Sequence, residues 1–264
     1  HRIAGESVYR RFAPPVFQAT GQKDVPLCEG AYEPTYSYPN FALEQLFAET
    51  GIDVAVWRSV GGGYTKFALE TFMDEVAAAA GKDPVEFRLQ LLAKDARGQA
   101  VIREVVQMSG YRTRKLPAGR ALGLAYSDIW ETYVAQVAEV SVDRKSGKVT
   151  VHEIWSAVDT GVALQPKNIQ AQIESSVVWG LGALKEKLIY KDGAVQQSNF
   201  HDYPVMRMNE VPKITTKVIV TDNKPGGIGE AGLPPVAPAI ANAVFKLTGK
   251  RLRDLPFKTE LLKA

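Results

Sequence analysis

The chain has 264 residues, 45% of them apolar and 23% charged, with a formal net charge of +3. That length can bury a sizeable core in one large or two small domains. The weak, scattered positive charge, with no Lys/Arg run interleaved with aromatics, is too small to imply nucleic acid, and no nucleic-acid partner is expected. One cysteine, Cys28, excludes an internal disulfide framework and a cysteine-held iron–sulfur cluster within the chain, and three dispersed histidines argue against an all-protein zinc site.

In chain order, residues 1–56 are rich in Pro, Tyr and Gly. Tyr32–Asn40 reads as loop, and Ala42–Ala48 fits either a strand or a short helix. The opening His1-Arg2-Ile3-Ala4-Gly5, without an initiator methionine, reads as the interior of a strand–loop unit, so a longer polypeptide is expected. Trp57-Arg58-Ser59-Val60-Gly61-Gly62-Gly63-Tyr64 is a glycine loop before a helix predicted over Thr65–Ala80, with apolar residues at i, i+3, i+4 spacing and Gly81 as its stop. Asp83-Pro84-Val85-Glu86 carries the N-cap, first-position proline and capping-box glutamate of a second helix, and a third runs over Val101–Met108 to Gly110.

After Arg120 the texture turns to strand. Tyr133–Val142 and Val149–Val158 are valine-rich and flank a hairpin at Asp143–Lys148. A helix introduced by Pro166 spans Gln165–Leu184, a second hairpin turns at Asp192-Gly193, and Ile214–Val220 is a further strand. Strands and helices mixed without regular βαβ alternation give an α+β class. The best boundary divides the chain into 1–118 and 119–264.

Chemistry concentrates near the end, in Lys224-Pro225-Gly226-Gly227-Ile228-Gly229-Glu230-Ala231-Gly232-Leu233-Pro234-Pro235. Four glycines and three prolines surround one acid. Such a loop can turn main-chain N–H groups towards an anion, and the helix beginning near Pro238 points its positive end back at it. Read from spacing alone, a tight turn with a solvated glutamate is the default. The same holds for Trp57–Tyr64, a phosphate or pterin cradle or a plain turn, and for Asp159–Gly182, a ligand wall or close helix packing. His201-Asp202 suggests a triad, but no serine or cysteine lies in a nucleophile elbow, so a self-satisfied loop is expected there.

Together the segment Gly226–Phe257, the run Trp57-Arg58-Ser59-Val60-Gly61 with Phe67–Val76 and Gly81–Arg88, the stretch Gln172-Ile173-Glu174-Ser175-Ser176 and Asn199-Phe200-His201-Asp202-Tyr203-Pro204 resemble the molybdenum-binding subunit of the xanthine dehydrogenase and aldehyde oxidase family. The isoquinoline 1-oxidoreductase beta subunit and related aldehyde-oxidising subunits are the branch it resembles most. The resemblance implies the C-terminal portion of the molybdopterin-binding domains, with Glu230 as the catalytic base. It implies cofactor contacts from Arg58, Ser59, Val60 and Gly61, the first three through main chain at the edge of the molybdenum site, and from Gln172, Ser175, Gly227, Ile228 and Gly229. No residue of the chain is expected to ligate the metal. Gln165 stands where the family prefers Asn, Ser175-Ser176 replace paired glycines, and an expected Gly-Gln-Gly segment is missing.

The reaction implied by the resemblance is oxidation of an aldehyde to a carboxylic acid, or hydroxylation of an N-heterocyclic substrate beside its nitrogen, with water as oxygen source. The implied cofactor is molybdenum–molybdopterin in its cytosine dinucleotide form, with 2Fe-2S clusters on a separate iron–sulfur subunit. The implied partners are the N-terminal part of the same large subunit, that iron–sulfur subunit and a cytochrome or flavin subunit, in a bacterial, periplasmic setting. This stretch alone is not expected to be a competent enzyme. The rival reading is a non-catalytic scaffold whose glycine loops hold an anionic ligand.

Overall fold

A computed structural model describes residues 1–264. Strand β1 (Arg2–Gly5) precedes three short helices, α1 (Val8–Phe12), α2 (Pro14–Ala19) and α3 (Val25–Cys28), and pairs in parallel with β2 (Glu44–Phe47). Helices α4 (Gly62–Ala79), α5 (Pro84–Leu91) and α6 (Ala96–Ser109) follow. The main sheet is built from β3 (Arg120–Ile129), β4 (Thr132–Val142) and β5 (Val149–Asp159). Next come α7 (Pro166–Gly182), the small hairpin β6 (Tyr190–Lys191) and β7 (Ala194–Val195), then β8 (Lys213–Val218) and α8 (Val236–Thr248).

The main sheet has the order β3-β4-β5-β8, an antiparallel meander closed by a parallel β8. One face carries Leu124, Tyr126, Val137 and Trp155, packed on Leu69 and Met73 of α4, Leu89 of α5 and Val101, Ile102 and Val105 of α6. The other carries Ala125, Ala138, Val140 and Ile154, packed on Val177 and Leu181 of α7 and Ile240 and Val244 of α8. Each Val, Leu, Ile or Met side chain among these contributes about 1.5–3 kcal/mol when fully buried. Because helices cover both faces, β3 is buried almost throughout and shows no in–out alternation. That is why the sequence indicated β texture after Arg120 without delimiting this strand. The α+β class stands.

Helix α8 is buried over nine consecutive residues, Val236–Val244, and lies on β3 at Gly123. A Cβ at Gly123 would sit 2.1 Å from the Ala239 carbonyl oxygen, so only glycine allows this approach. The expected helices are present with small differences. Helix α4 starts at Gly62, three residues early, since its glycines already have helical partners. Asp83 caps α5 by accepting the N–H groups of Val85 and Glu86, but Glu86 turns its carboxylate to Arg112 (2.5 Å) rather than back to the cap. Gly110 ends α6 in the left-handed region. Residues 44–47 are strand rather than helix. No helix is long and apolar enough to cross a membrane.

Candidate active site

Three segments far apart in sequence meet above the β3–β4 turn: the loop at 57–61, the N-terminal half of α7, and the loop at 224–235. The join is Arg58. Its Nε donates to the Gly229 carbonyl (2.8 Å), Nη1 to Ser175 Oγ (2.8 Å), and Nη2 to Gln172 Oε1 (2.8 Å) and to the Gly229 carbonyl. These partners lie 171, 117 and 114 residues away. Ser59, fully buried, donates its hydroxyl to the Glu230 carbonyl (2.7 Å), which also accepts the N–H of Leu233 (3.1 Å). The backbone on both sides of the Glu230 side chain is therefore clamped. No donor of the chain reaches its half-buried carboxylate.

Backbone strain marks the same loop. Ser59 and Val60 have φ of +77° and +51°, values that cost a non-glycine residue about 1–3 kcal/mol each and are rare for a β-branched side chain. Such strain persists only where neighbours over-determine it, as the Arg58 and Ser59 hydrogen bonds do. The glycines after them pack closely: Gly61 backs onto residues 26–29, and a Cβ on Gly62 would strike Ile129.

The glutamate loop is anchored from below. Gly226 N–H donates to the Thr160 carbonyl (2.9 Å), Gly227 N–H to the Trp130 carbonyl (2.8 Å), and Gln136 Nε2 to the Gly232 carbonyl (2.9 Å). Gly161, at φ +75°, lets Lys224 cross, because a Cβ there would lie 2.3 Å from the Lys224 oxygen. Asp159 holds the Gly161 N–H (2.8 Å) and forms a fork–fork pair with Arg97. Two of the N–H groups expected to face an anion are thus used internally. The N–H groups of Ile228, Gly229 and Glu230 remain without a partner in the chain.

Electrostatics add a residue that sequence reasoning missed. Glu29 lies against the start of α4, its carbonyl accepting from Thr65 Oγ1 (2.7 Å). Burial pushes its carboxyl up from the ordinary value, and the neighbouring Glu230 adds to the rise. Arg58 is pulled below its ordinary value by burial, with the charge of Glu230 opposing the shift. No sequence signal marked Glu29 or Gln136, since neither belongs to a motif. Beside the loop lies a largely apolar cavity of about 320 Å³ lined by Pro26, Trp57, Val60, Tyr64, Leu233 and Ala237 among others.

All ten residues singled out from the sequence, Arg58, Ser59, Val60, Gly61, Gln172, Ser175, Gly227, Ile228, Gly229 and Glu230, fall within these three meeting segments. Within the chain Arg58 acts through its guanidinium, and Glu230 is half-buried. Ser176 is wholly buried against Gly232, while Ser175 faces Arg58. The His201-Asp202 loop satisfies itself: Asp202 accepts the N–H groups of Ser198 and Asn199, which hold its pKa down to about 2. No group of three or more His, Cys, Asp or Glu side chains is placed to hold a metal ion.

A family model described as "Molybdopterin cofactor-binding domain" matches residues 66–212. The chain belongs to this family. Over 264 residues it is 38% identical to the isoquinoline 1-oxidoreductase subunit beta of Brevundimonas diminuta, covering 99% of this chain and 34% of that one. It is 34% identical to the membrane-bound aldehyde dehydrogenase [pyrroloquinoline-quinone] of Gluconacetobacter polyoxogenes, covering 82% of this chain and 30% of that one. The molybdopterin-family fold is shared with the aldehyde oxidoreductase from Desulfovibrio gigas, at a TM-score of 0.76 and 14% identity, over 99% of this chain and 46% of that one. The chain spans about a third of the length of the curated relatives it matches.

Proposed function

We propose that this chain supplies the base and one wall of the cofactor site in a molybdenum hydroxylase. The reaction is oxidation of an aldehyde to a carboxylic acid, or hydroxylation of an N-heteroaromatic ring beside its nitrogen, with water as the oxygen source. The observation that carries the reading is the convergence on Arg58 of Gly229, Gln172 and Ser175, which holds the backbone beside the unpartnered Glu230 carboxylate.

The donor set suits the cofactor. Three unpaired N–H groups at Ile228, Gly229 and Glu230, with the exposed Gln172 amide beside them, form a surface for an acceptor-rich, anionic group. When bound, molybdenum–molybdopterin would supply the two-electron redox chemistry. Gln172, Ser175 and the main chain of 227–229 would hold it. Glu230 would accept a proton at its carboxylate from the water-derived nucleophile, help worth typically 10²–10⁴-fold in rate. Its clamped backbone fixes the carboxylate's origin, and the absence of donors from the chain leaves its oxygens free to accept.

The cytosine dinucleotide form of the cofactor, 2Fe-2S clusters on a partner, and a covering N-terminal part of the same subunit belong to this proposal. They are supported by the family membership and by the share of the relatives that the chain spans. The test is metal and cofactor analysis of the purified complex with and without Glu230→Gln. Molybdenum with a pterin, retained in the variant while turnover is lost, is the expected result. A quinone in its place, or no molybdenum, would overturn the reading.

A further inference from the structure

Resting on that reading, we infer that Arg58 is a positioning residue that couples retention of the cofactor to placement of Glu230. An arginine side chain has five N–H donors and no acceptor. Whatever it contacts must turn an acceptor towards it. Gln172 therefore gives its Oε1 to Nη2 (2.8 Å), and its amide NH₂, with two donors, faces outward. Ser175 gives an Oγ lone pair to Nη1 (2.8 Å), and no acceptor in the chain takes its hydroxyl proton. One guanidinium thus sets the polarity of two side chains on α7, so that both present donors to carbonyl or phosphate oxygens of the cofactor. Without it the Gln172 amide could turn over and present an acceptor to those oxygens.

The same fork grips the Gly229 carbonyl through both Nε and Nη2, one residue before Glu230. The two duties cannot be separated, because Nη2 serves both Gln172 and Gly229. Loosening the fork frees the glutamate loop and the donor face together. A lysine keeps the charge but has a single nitrogen, and cannot hold three partners in fixed directions.

The experiment compares Arg58→Met, Arg58→Lys, Gln172→Ala and Arg58→Met/Gln172→Ala in the purified complex. Molybdenum content, kcat per bound molybdenum, and hydrogen exchange of the Gly227 and Leu233 amides, held by the Trp130 and Glu230 carbonyls, are measured. We expect Arg58→Met to lower molybdenum content at least as much as Gln172→Ala, and the double variant to fall no further than Arg58→Met, because both act through one contact. Kcat per molybdenum should fall at least tenfold in Arg58→Met, since small misplacement of a reacting group costs up to about a hundredfold. It should fall less in Gln172→Ala. Exchange at Gly227 and Leu233 should quicken in Arg58→Met and stay slow in Gln172→Ala. If Arg58→Met does not fold, Arg58→Lys carries the comparison with the same expected directions.

Additive losses of molybdenum, or kcat per molybdenum and exchange within twofold of the parent, would overturn the coupling. Failure of the base assignment reads out separately. A Glu230→Gln complex that stays active, while Arg58→Met still sheds molybdenum and quickens exchange, removes Glu230 as base and leaves Arg58 as the clamp.

Discussion

Two glutamates, Glu70 and Glu230, lie beside arginines that are used in opposite ways. Glu70 and Arg88 are completely buried between α4 and α5. Both Glu70 oxygens are occupied, one by Tyr36 Oη (2.6 Å), the other by Arg88 Nε (2.9 Å) and the Tyr126 N–H (2.9 Å). Burial alone would lower the pKa of Arg88; Glu70, Tyr36 and Asp74 together outweigh it and the net shift is upward. Arg58, by contrast, holds the carbonyl beside Glu230 and leaves the carboxylate open. A satisfied carboxylate holds a fold together. One whose backbone is clamped and whose oxygens are free is placed to do chemistry.

Breaking the first pair should have the largest effect on stability. Glu70→Gln leaves buried Arg88 without its nearest counter-charge, with Asp74 4.0 Å away, which costs about 3–5 kcal/mol. At about 2–4 °C per kcal/mol for a domain of this size, the unfolding midpoint should fall by about 6–20 °C. Differential scanning calorimetry of the complex checks this. A shift under about 2 °C would show the network to be dispensable.

Asp159 and Arg97 form an intermediate case, a buried acid whose partner is partly exposed. Burial alone would raise the pKa of Asp159, yet the hydrogen bonds from Arg97 and Gly161 win and the net shift is downward. The folded value lies below the unfolded value of about 4. The pair's contribution is therefore present above that value and lost as pH falls through the folded pKa. Unfolding midpoints between pH 3 and 7 should show the parent losing stability below about pH 4 more steeply than Asp159→Asn. The variant should be less stable than the parent at pH 7. Parallel curves would exclude the pair as an acid-sensitive anchor of the 224–226 crossing.

Ser59→Ala should have the smallest effect. It removes one hydrogen bond to the Glu230 carbonyl, worth about 1 kcal/mol, and leaves the N–H of Leu233 in place. A fall in kcat of no more than about tenfold, with unchanged molybdenum content, is expected from steady-state kinetics. A loss as large as that from removing the carboxylate would mean that Ser59 takes a direct part in the chemistry.

Much of this was legible in the sequence because local chemistry and motif carried it. Asp83-Pro84, Gly110 and the hairpin at Asp143–Gly147 are turn and cap signals whose cause lies within a few residues. The site segments at 57–61, 172–175 and 226–230 were visible as glycine-rich or small-residue stretches of familiar order. The hydrogen bonds that make them one site were not. Arg58 and Gly229 are 171 residues apart, and no spacing rule records that they touch. Glu29 was silent because a lone glutamate in a Pro- and Gly-rich stretch looks solvated until α4 packs against it. The glycine run at 61–63 read as an anion cradle or a plain turn, and the close packing of Gly61 and Gly62 was not visible in it.

The contrast between the two glutamates is decided most directly by kcat per bound molybdenum in Glu230→Gln. The amide keeps the shape of the carboxyl group but cannot accept the proton. The expected result is a fall of about 10²–10⁴-fold, with molybdenum content and unfolding midpoint as in the parent. Retention of more than about a tenth of the parent kcat, well above the loss expected for a missing general base, would contradict a catalytic role for Glu230.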